Sequence, residues 1–436
     1  MGQLQKKKLL GLCLFCALWP LILKDPCIVK AEGKLTLSGG WLLCVTDAGE
    51  EENNVKEPEK IQPQGLYSYA SCLLDGENDR VLFEKHGNEP LPMASTTKIM
   101  TLIVILEHAS MDDVVTVSKN AAAQPDVQLN IRSGEQYRLG DLVYSLMLES
   151  HNDVAVALAE HVGGSVEGFC ALMNAKAAAM GLVDTCFETP NGLDADNHHT
   201  TAVELSKIAS YAIKNPEFIK ITNTSSYQFN ELTTNRSFTV TNKNRFLYMM
   251  DGAIGVKTGF TGKAGYCFVG ALKRGEHTLI ATMLACGWPP NKNYKWSDTK
   301  KLMEYGLNHF RRTSFLERAE FFVNGEEVLS GEFDPENEKI TIPVTGGVAD
   351  SVAAASEGLL PKPLLLAEWE QPCIEVSYRT QLTAPVGEGE VVGSVTYLID
   401  GEEYASCFIR TLEEVPKIDF WYCLRFVISR WNGGAL

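Results

Sequence analysis

The sequence lacks the cysteine and histidine patterns that hold metal ions. Three of its 12 cysteines lie within residues 1–31; the other nine include no C-x-x-C pair, and none lies among histidines at the spacing of zinc ligands. The sequence therefore predicts neither a metal site nor a cofactor. The cysteines are also scattered without a legible pairing, so no disulfide is expected to be required for folding.

Basic charge is scarce as well. The chain carries 39 Lys and Arg against 55 Asp and Glu, a net charge of −16. Proteins that bind nucleic acids need clustered Lys and Arg for the phosphates, so nucleic acid is not an expected partner. A hydrophobic content of 45% in 436 residues indicates a globular protein with an ample core and about two or three domains.

Both apolar stretches at the chain ends are short. Residues 9–23 follow three lysines and have the length of a signal-peptide core. Cleavage is expected after Ala31, with a second candidate site at Ala48, so the bulk of the protein is predicted to be exported; an uncleaved N-terminal anchor is the alternative. Residues 418–431 are apolar and aromatic but shorter than the ~20 residues that span a bilayer. They are predicted to lie on a membrane surface, or else to dock on the preceding domain.

The order of predicted elements gives the domain organisation. Residues 1–31 are interpreted as a signal peptide and 32–64 as a linker. Residues 65–312 read as a β-hairpin, many helices, further hairpins and a closing helix that Ser297 would cap. That order predicts an α/β domain whose mainly antiparallel sheet is flanked by helices. Short strands and turns over 313–412 predict a small β-sandwich, and 413–436 form the membrane-associating tail.

The first candidate catalytic motif is Ser95-x-x-Lys98, followed by an apolar run from Ile99 to Leu106. On a helix, residues three apart share a face, so the lysine reaches the serine hydroxyl. Burial of the apolar run would strip water from Lys98 and lower its pKa, which would make it a base. Taken alone, the motif is more often a solvated pair.

Two further polar motifs follow in order. Ser150-His151-Asn152 separates two predicted helices, 139–148 and 154–160, and its simplest alternative role is to cap the second one. Lys257-Thr258-Gly259 lies on a predicted edge strand, where it offers a cation, a hydroxyl and close backbone approach. An exposed strand lysine is the common alternative there.

Together the three motifs resemble those of penicillin-binding, serine-acylating enzymes. The sequence is most similar to the low-molecular-mass serine-type D-alanyl-D-alanine carboxypeptidases, over about residues 65–412, including 187–194 and 255–261. The resemblance implies a penicilloyl-serine transferase (β-lactamase/DD-peptidase-like) fold for the α/β domain. It also implies removal of the terminal D-alanine from peptidoglycan stem pentapeptides, at the extracytoplasmic face of the bacterial membrane.

The resemblance also implies roles for the reacting groups. Ser95 would attack the substrate carbonyl, and neutral Lys98 would take its proton. Ser150 would relay a proton to the departing amine, while Asn152 would hold Lys98 and the substrate amide. β-Lactams would acylate Ser95 and act as covalent inhibitors.

Substrate binding is implied for the strand motif. Lys257 would attract the terminal carboxylate and Thr258 would hydrogen-bond to it. Gly259 allows close approach, and the backbone N–H of Phe260 would join that of Ser95 in the oxyanion hole. Two departures from relatives are His151, where many have a small residue, and Phe260, where some have histidine.

The same motifs are also compatible with other functions. A β-lactamase, a DD-endopeptidase or an esterase-like hydrolase on the same scaffold is an alternative, as is an inactive module that binds β-lactams or the cell wall. Glu188 lies at a distance from Ser150 where β-lactamases carry a deacylating glutamate, although its surroundings resemble a carboxypeptidase loop. His198 and His199 are expected to be solvated rather than metal ligands.

Overall fold

The computed structural model describes residues 60–328, 339–357 and 362–431. The predicted signal peptide and most of the predicted linker lie outside these residues. From residue 60 to 69 the chain forms no helix or strand, and the first strand begins at Ala70.

Nine strands and eight helices form the first part of the chain. The strands are β1 Ala70–Asp75, β2 Val81–Lys85, β3 Val114–Thr116, β4 Gln136–Arg138, β5 Ser226–Asn230, β6 Ser237–Thr241, β7 Ala253–Thr261, β8 Gly265–Arg274 and β9 His277–Leu284. The helices are α1 Lys98–His108, α2 Lys119–Ala122, α3 Leu139–Leu148, α4 Asn152–Gly163, α5 Val166–Ala179, α6 Ala202–Ile213, α7 Pro216–Asn223 and α8 Tyr294–His309.

The main sheet has the strand order β2-β1-β9-β8-β7, and every neighbouring pair is antiparallel. This confirms the predicted antiparallel sheet. Side chains alternate along each strand, so β8 serves two cores. Cys267 and Val269 pack in the core shared with α1 and α3 to α6, while Phe268 and Leu272 pack in the core shared with α8. Helices thus cover both faces, and β7 is left as an edge strand.

Two predicted helix starts are wrong in detail. Ser297 does not cap the closing helix, because α8 already begins at Tyr294 after Asn293. Ser95 lies in a short 3-10 turn, Ala94–Thr97, and the α-helix begins only at Lys98. The turn arises because Ala94 adopts a positive φ of 48°, a conformation that an α-helix cannot contain.

The second part of the chain is β-rich, as predicted. Its elements are β10 Phe310–Thr313, α9 Phe315–Arg318, β11 Glu320–Val323, β12 Glu326–Val328, β13 Ile340–Thr345, β14 Ser351–Ser356, β15 Leu364–Ala367, β16 Pro372–Tyr378, β17 Leu382–Thr383, β18 Val391–Ile399 and β19 Glu402–Thr411. Eight of these strands form one sheet of order β12-β11-β16-β18-β19-β14-β13-β17. Strand β10 pairs with β15, so the predicted boundary at 312/313 falls inside a paired strand.

The last described element is the helix α10, Phe420–Trp431. None of its residues is buried. Within the described residues, no helix combines the length and the apolar character that crossing a membrane would require.

Candidate active site

The Ser95 turn lies against the edge strand β7, and two glycines make the approach feasible. A Cβ atom at Gly259 would lie 3.1 Å from the Ser95 nitrogen, and one at Gly192 would lie 2.9 Å from it. Gly192 also has a positive φ of 83°. Any larger residue at Gly192 would push the turn away, so this close approach needs glycine.

Lys98 is carried into the core by its own helix. Helix α1 buries every residue from Lys98 to Ile105, because the apolar run has no polar face to turn toward water. The Lys98 side chain is 0% exposed. Burial, followed by the nearby charge of Lys257, holds the pKa of Lys98 well below its usual value, while Asp153 opposes this shift.

The contacts of Lys98 indicate where its proton and lone pair lie. Its Nζ is 3.0 Å from Ser95 Oγ, 2.9 Å from Asn152 Oδ1 and 2.5 Å from the carbonyl oxygen of Asn191. The last two atoms only accept hydrogen bonds. When Lys98 is neutral, its two N–H groups can donate to those two oxygens, which leaves the lone pair to accept the proton of the Ser95 hydroxyl. This is the arrangement of a nucleophile and its general base.

The Ser150-His151-Asn152 segment does not cap the next helix. Helix α4 begins at Asn152, and His151 at its N-cap makes no side-chain capping bond. Ser150 has a positive φ of 72°. Its Oγ is buried and has no hydrogen-bond partner in the part of the chain that the structure describes. The capping alternative therefore fails, and Ser150 keeps an uncommitted hydroxyl.

Asn152 makes more hydrogen bonds within the protein than its sequence motif suggested. Its Oδ1 accepts from Lys98, and its Nδ2 donates to the carbonyl oxygens of Pro125 and Asp126, at 3.2 Å and 3.0 Å. Its backbone N–H also binds the carbonyl of Val127. Asn152 therefore ties the lysine to segment 125–127.

His151 anchors the segment from the inside. Its side chain is buried, with Nδ1 2.7 Å from Ser145 Oγ and Nε2 3.4 Å from a carboxylate oxygen of Glu149. Burial lowers the pKa of His151, against the opposing charges of Asp153 and Glu149. The bulky residue at this position is thus directed into the protein.

Lys257 lies on β7 and is 2% exposed. Burial lowers its pKa to about 7. Its Nζ makes one short contact, to the Thr258 carbonyl at 3.2 Å, and no ion pair that involves it is seen among the described residues. Thr258 is half-buried, and the exposed Phe260 ring lies against Tyr266, 4.6 Å between centroids.

Three contributors were missed or misjudged from the sequence. The Asn191 carbonyl contacts both Lys98 and Ser95, which no side-chain motif reveals. Asp153 is buried and accepts from the backbone N–H groups of Leu129 and Ile131. His198 is buried, 3% exposed, and is therefore not solvated as expected; its two contacts are with the protein.

The exposure and contacts of Glu188 argue against a catalytic role. Its carboxylate is exposed and accepts from the backbone and side chain of Asn197, at 2.9 Å and 3.2 Å. Those bonds lower its pKa, which is unfavourable for a general base. Among the described residues, no group of three or more His, Cys, Asp or Glu side chains is arranged to hold a metal ion.

The buried His198 makes stability depend on pH. Burial lowers its pKa from 6.5 to about 4, so the folded protein holds it neutral. As pH falls from about 6.5 to 4, the unfolded chain takes up a proton that the folded chain refuses, and stability falls by roughly 3 kcal/mol. We expect His198→Gln to lose this part of the pH dependence in denaturant unfolding. His199→Gln is the control, and an equal slope in wild type and His198→Gln would contradict the assignment.

Comparison with known proteins agrees with the geometry. The family model described as D-alanyl-D-alanine carboxypeptidase (Peptidase_S11) matches residues 56–286. The chain is 26% identical to the carboxypeptidase DacF of Bacillus subtilis, over 83% of this chain and 90% of that protein. It is 28% identical to DacC of Escherichia coli, over 86% and 92%.

Solved structures give the same picture. Penicillin-binding protein 5 from Haemophilus influenzae has a TM-score of 0.63 at 25% identity, covering 82% of this chain and 100% of that one. The Streptomyces K15 DD-transpeptidase has a TM-score of 0.54 at 32% identity, covering 57% and 99%. These findings confirm the resemblance and the fold class inferred from the three motifs. The chain belongs to the D-alanyl-D-alanine carboxypeptidase family of serine-type hydrolases.

Proposed function

We propose that this protein removes the terminal D-alanine from peptidoglycan stem pentapeptides through an acyl-enzyme on Ser95. The observation that carries the proposal is the position of Lys98 Nζ between Ser95 Oγ and two acceptor oxygens. Acyl-enzyme chemistry and inhibition by β-lactams are general properties of the family. The assignment of each step to a residue is inferred from this site.

The acylation step uses the neutral lysine. Ser95 Oγ attacks the carbonyl carbon of the D-Ala-D-Ala peptide bond, and its proton passes to Lys98. The negative charge on the carbonyl oxygen is stabilised by the backbone N–H groups of Ser95 and Phe260. The proton held by Lys98 then returns through the Ser150 hydroxyl, which gives its own proton to the leaving nitrogen and takes the one from Lys98. The C–N bond breaks and D-alanine departs. Water then attacks the ester with Lys98 again as the base, which releases the shortened peptide and restores the Ser95 hydroxyl.

Asn152 serves mainly as a positioning residue in this scheme. Both N–H bonds of its amide are already made to Pro125 and Asp126. A contact with the substrate amide would require one of these bonds to break. The contact to Lys98 needs no change, so holding the lysine is the role that the geometry supports.

The reaction products distinguish a carboxypeptidase from the other hydrolases that share this fold. With a stem pentapeptide, we expect stoichiometric release of D-alanine and tetrapeptide, measured by mass spectrometry, and slow turnover of penicillin. The contacts of Glu188 support slow turnover, since its carboxylate is hydrogen-bonded to Asn197 rather than available to deacylate the enzyme. Rapid penicillin hydrolysis with intact pentapeptide would indicate a β-lactamase, and cleavage of cross-linked dimers alone would indicate an endopeptidase.

Lys257 is proposed to bind the terminal carboxylate of the substrate. We expect Lys257→Met to lower kcat/KM for the pentapeptide about 100-fold, because a charge-assisted contact in a buried site is lost. With a pKa of about 7, the cation is lost as pH rises above 7, whereas neutral Lys98 is favoured by the same rise. A bell-shaped profile of kcat/KM against pH should result.

Controls separate this role from general damage at the site. The exposed Lys263 lies in the same hairpin, and Lys263→Met should behave as wild type. For a peptide with an amidated C-terminus, replacing Lys257 should lower kcat/KM only slightly. If Lys257→Met impairs the acid and the amide equally, the carboxylate role is wrong.

The tail is proposed to attach the protein to a membrane surface. Phe420, Trp421, Leu424, Val427, Ile428 and Trp431 share one side of α10 by their spacing, and all of them are exposed. Tyr422, Arg425 and Phe426 instead line a groove with Pro385 and Pro416. The free side is apolar, as in a helix that lies in the interface of a bilayer.

Vesicle binding tests the tail. We expect the protein without its signal peptide to co-sediment with vesicles containing anionic lipid, and the double variant Trp421→Ser/Trp431→Ser to remain in the supernatant. Tyr422→Ser, on the groove side, should sediment as wild type. Sedimentation of the double variant at the wild-type level would contradict membrane attachment through this face.

A further inference from the structure

His198 contacts the nucleophile turn through Thr97. Its Nε2 is 2.8 Å from Thr97 Oγ1, and its Nδ1 accepts from the backbone N–H of Glu188 at 3.1 Å. Thr97 Oγ1 is in turn 2.8 Å from the carbonyl oxygen of Ala94. These contacts form a chain from segment 187–198 to the residue that precedes Ser95.

The chain of hydrogen bonds has only one direction. A backbone N–H can only donate, so Nδ1 of His198 is unprotonated and the neutral ring carries its proton on Nε2. That N–H donates to Thr97 Oγ1. The Thr97 hydroxyl then donates to the Ala94 carbonyl, which can only accept.

The chain of hydrogen bonds ends at the peptide group that supplies the N–H of Ser95. The Ala94 carbonyl and the Ser95 N–H belong to the same peptide group, whose orientation is fixed because the peptide is planar. A hydrogen bond to the carbonyl therefore sets the direction of the N–H. It also polarises the group, which strengthens the N–H as a donor.

Thr97 makes its side-chain bond inside the turn rather than to the helix that follows. Its backbone is helical, with φ −44° and ψ −37°, and its side chain makes no capping bond to α1. Its hydroxyl instead braces a turn in which Ala94 holds a positive φ. Residues held in such sparsely populated conformations cluster at functional sites.

We propose that His198 and Thr97 are positioning residues that aim the Ser95 N–H into the oxyanion hole. The inference rests on the proposed function, in which that N–H stabilises the tetrahedral intermediate. Neither side chain touches the substrate. Loss of this chain of hydrogen bonds should therefore slow acylation and leave the initial non-covalent binding of substrate or penicillin unchanged.

Two pairs of variants test the proposal. Glutamine at 198 places an N–H near the position of Nε2 and keeps the donor to Thr97, whereas asparagine keeps only the acceptor near Nδ1. Thr97→Ser keeps the hydroxyl, whereas Thr97→Val removes it. The measurement is stopped-flow acylation by a fluorescent penicillin, which separates the acylation rate constant from the binding constant, with thermal unfolding as a check of folding.

We expect about tenfold slower acylation in His198→Asn and Thr97→Val, since complete loss of an oxyanion donor costs about 10²–10³-fold. His198→Gln and Thr97→Ser should stay within about threefold of wild type. Because both residues act through one chain, the double variant His198→Asn/Thr97→Val should be no slower than Thr97→Val alone.

Several outcomes would overturn the proposal. They are wild-type acylation in Thr97→Val, equal loss in glutamine and asparagine variants, a weakened binding constant with an unchanged rate, or additive losses in the double variant. Ser95→Ala separates this from the proposed function. If Ser95→Ala still forms the acyl-enzyme, the nucleophile is wrong; if it does not and Thr97→Val acylates normally, only the positioning role is wrong.

Discussion

Replacing Ser95 by alanine is expected to abolish the acyl-enzyme. No fluorescent penicillin should remain covalently bound, and D-alanine release should fall by about 10³-fold or more, because the variant lacks the hydroxyl that lies against the buried Lys98 amine. Lys98 Nζ lies 3.0 Å from Ser95 Oγ. Removing the hydroxyl removes the only atom that the lysine can activate among its three contacts.

The control for this variant is Ser118→Ala. Ser118 caps α2 through the N–H of Ala121, so its replacement removes a serine hydroxyl outside the site. The Ser118→Ala variant should be labelled by fluorescent penicillin at the wild-type rate. Proteolytic digestion of the labelled wild-type protein, followed by mass spectrometry, should place the penicilloyl group on residue 95. Persistent labelling of Ser95→Ala would show that another residue is acylated.

Replacing Lys98 by methionine is expected to slow acylation by about 10³-fold while the fold is kept. General-base assistance contributes about 10²–10⁴-fold, and methionine fills a similar volume without the amine. Arginine should not restore activity, since its guanidinium stays protonated and cannot take the serine proton. The measurement is the acylation rate constant, with thermal unfolding to show that the variant is folded.

The pH dependence sharpens the test of Lys98. Burial holds its pKa well below the usual value, so the neutral amine becomes the main form as pH rises through that lowered pKa. Acylation in wild type should therefore rise with pH over this range and then level off. In Lys98→Met this rise should disappear. An acylation rate that keeps the wild-type pH profile in Lys98→Met would exclude Lys98 as the base.

The chemistry of the site was predictable because its motifs are local. Ser95 and Lys98 are three residues apart, and the apolar run after them predicts burial of the helix without knowledge of any partner. The segment Lys273-Arg274-Gly275-Glu276 likewise predicts the hairpin turn between β8 and β9. In the structure the register pairs Arg274 with His277, so the turn itself is the two residues 275 and 276. The family followed from the order of three such motifs.

The rest depended on contacts between distant segments. Asn191 is 93 residues from Lys98, and it acts through a carbonyl that every residue type possesses. His198 is 101 residues from Thr97, and its polar neighbours in sequence indicated a solvated loop. Periodicity reports which side of an element is buried, but it does not report which loop is placed against it.

The sequence by itself determined the antiparallel α/β plan and the family, and it supplied the proposed reacting groups. Only the tertiary structure decided how those groups are charged and aimed. Lys98 is suited to the proposed role of base because burial lowers its pKa, and a pKa responds to the whole folded environment rather than to sequence neighbours. The same holds for the Ser95 turn, since the direction of one peptide N–H is set by side chains that meet only after folding.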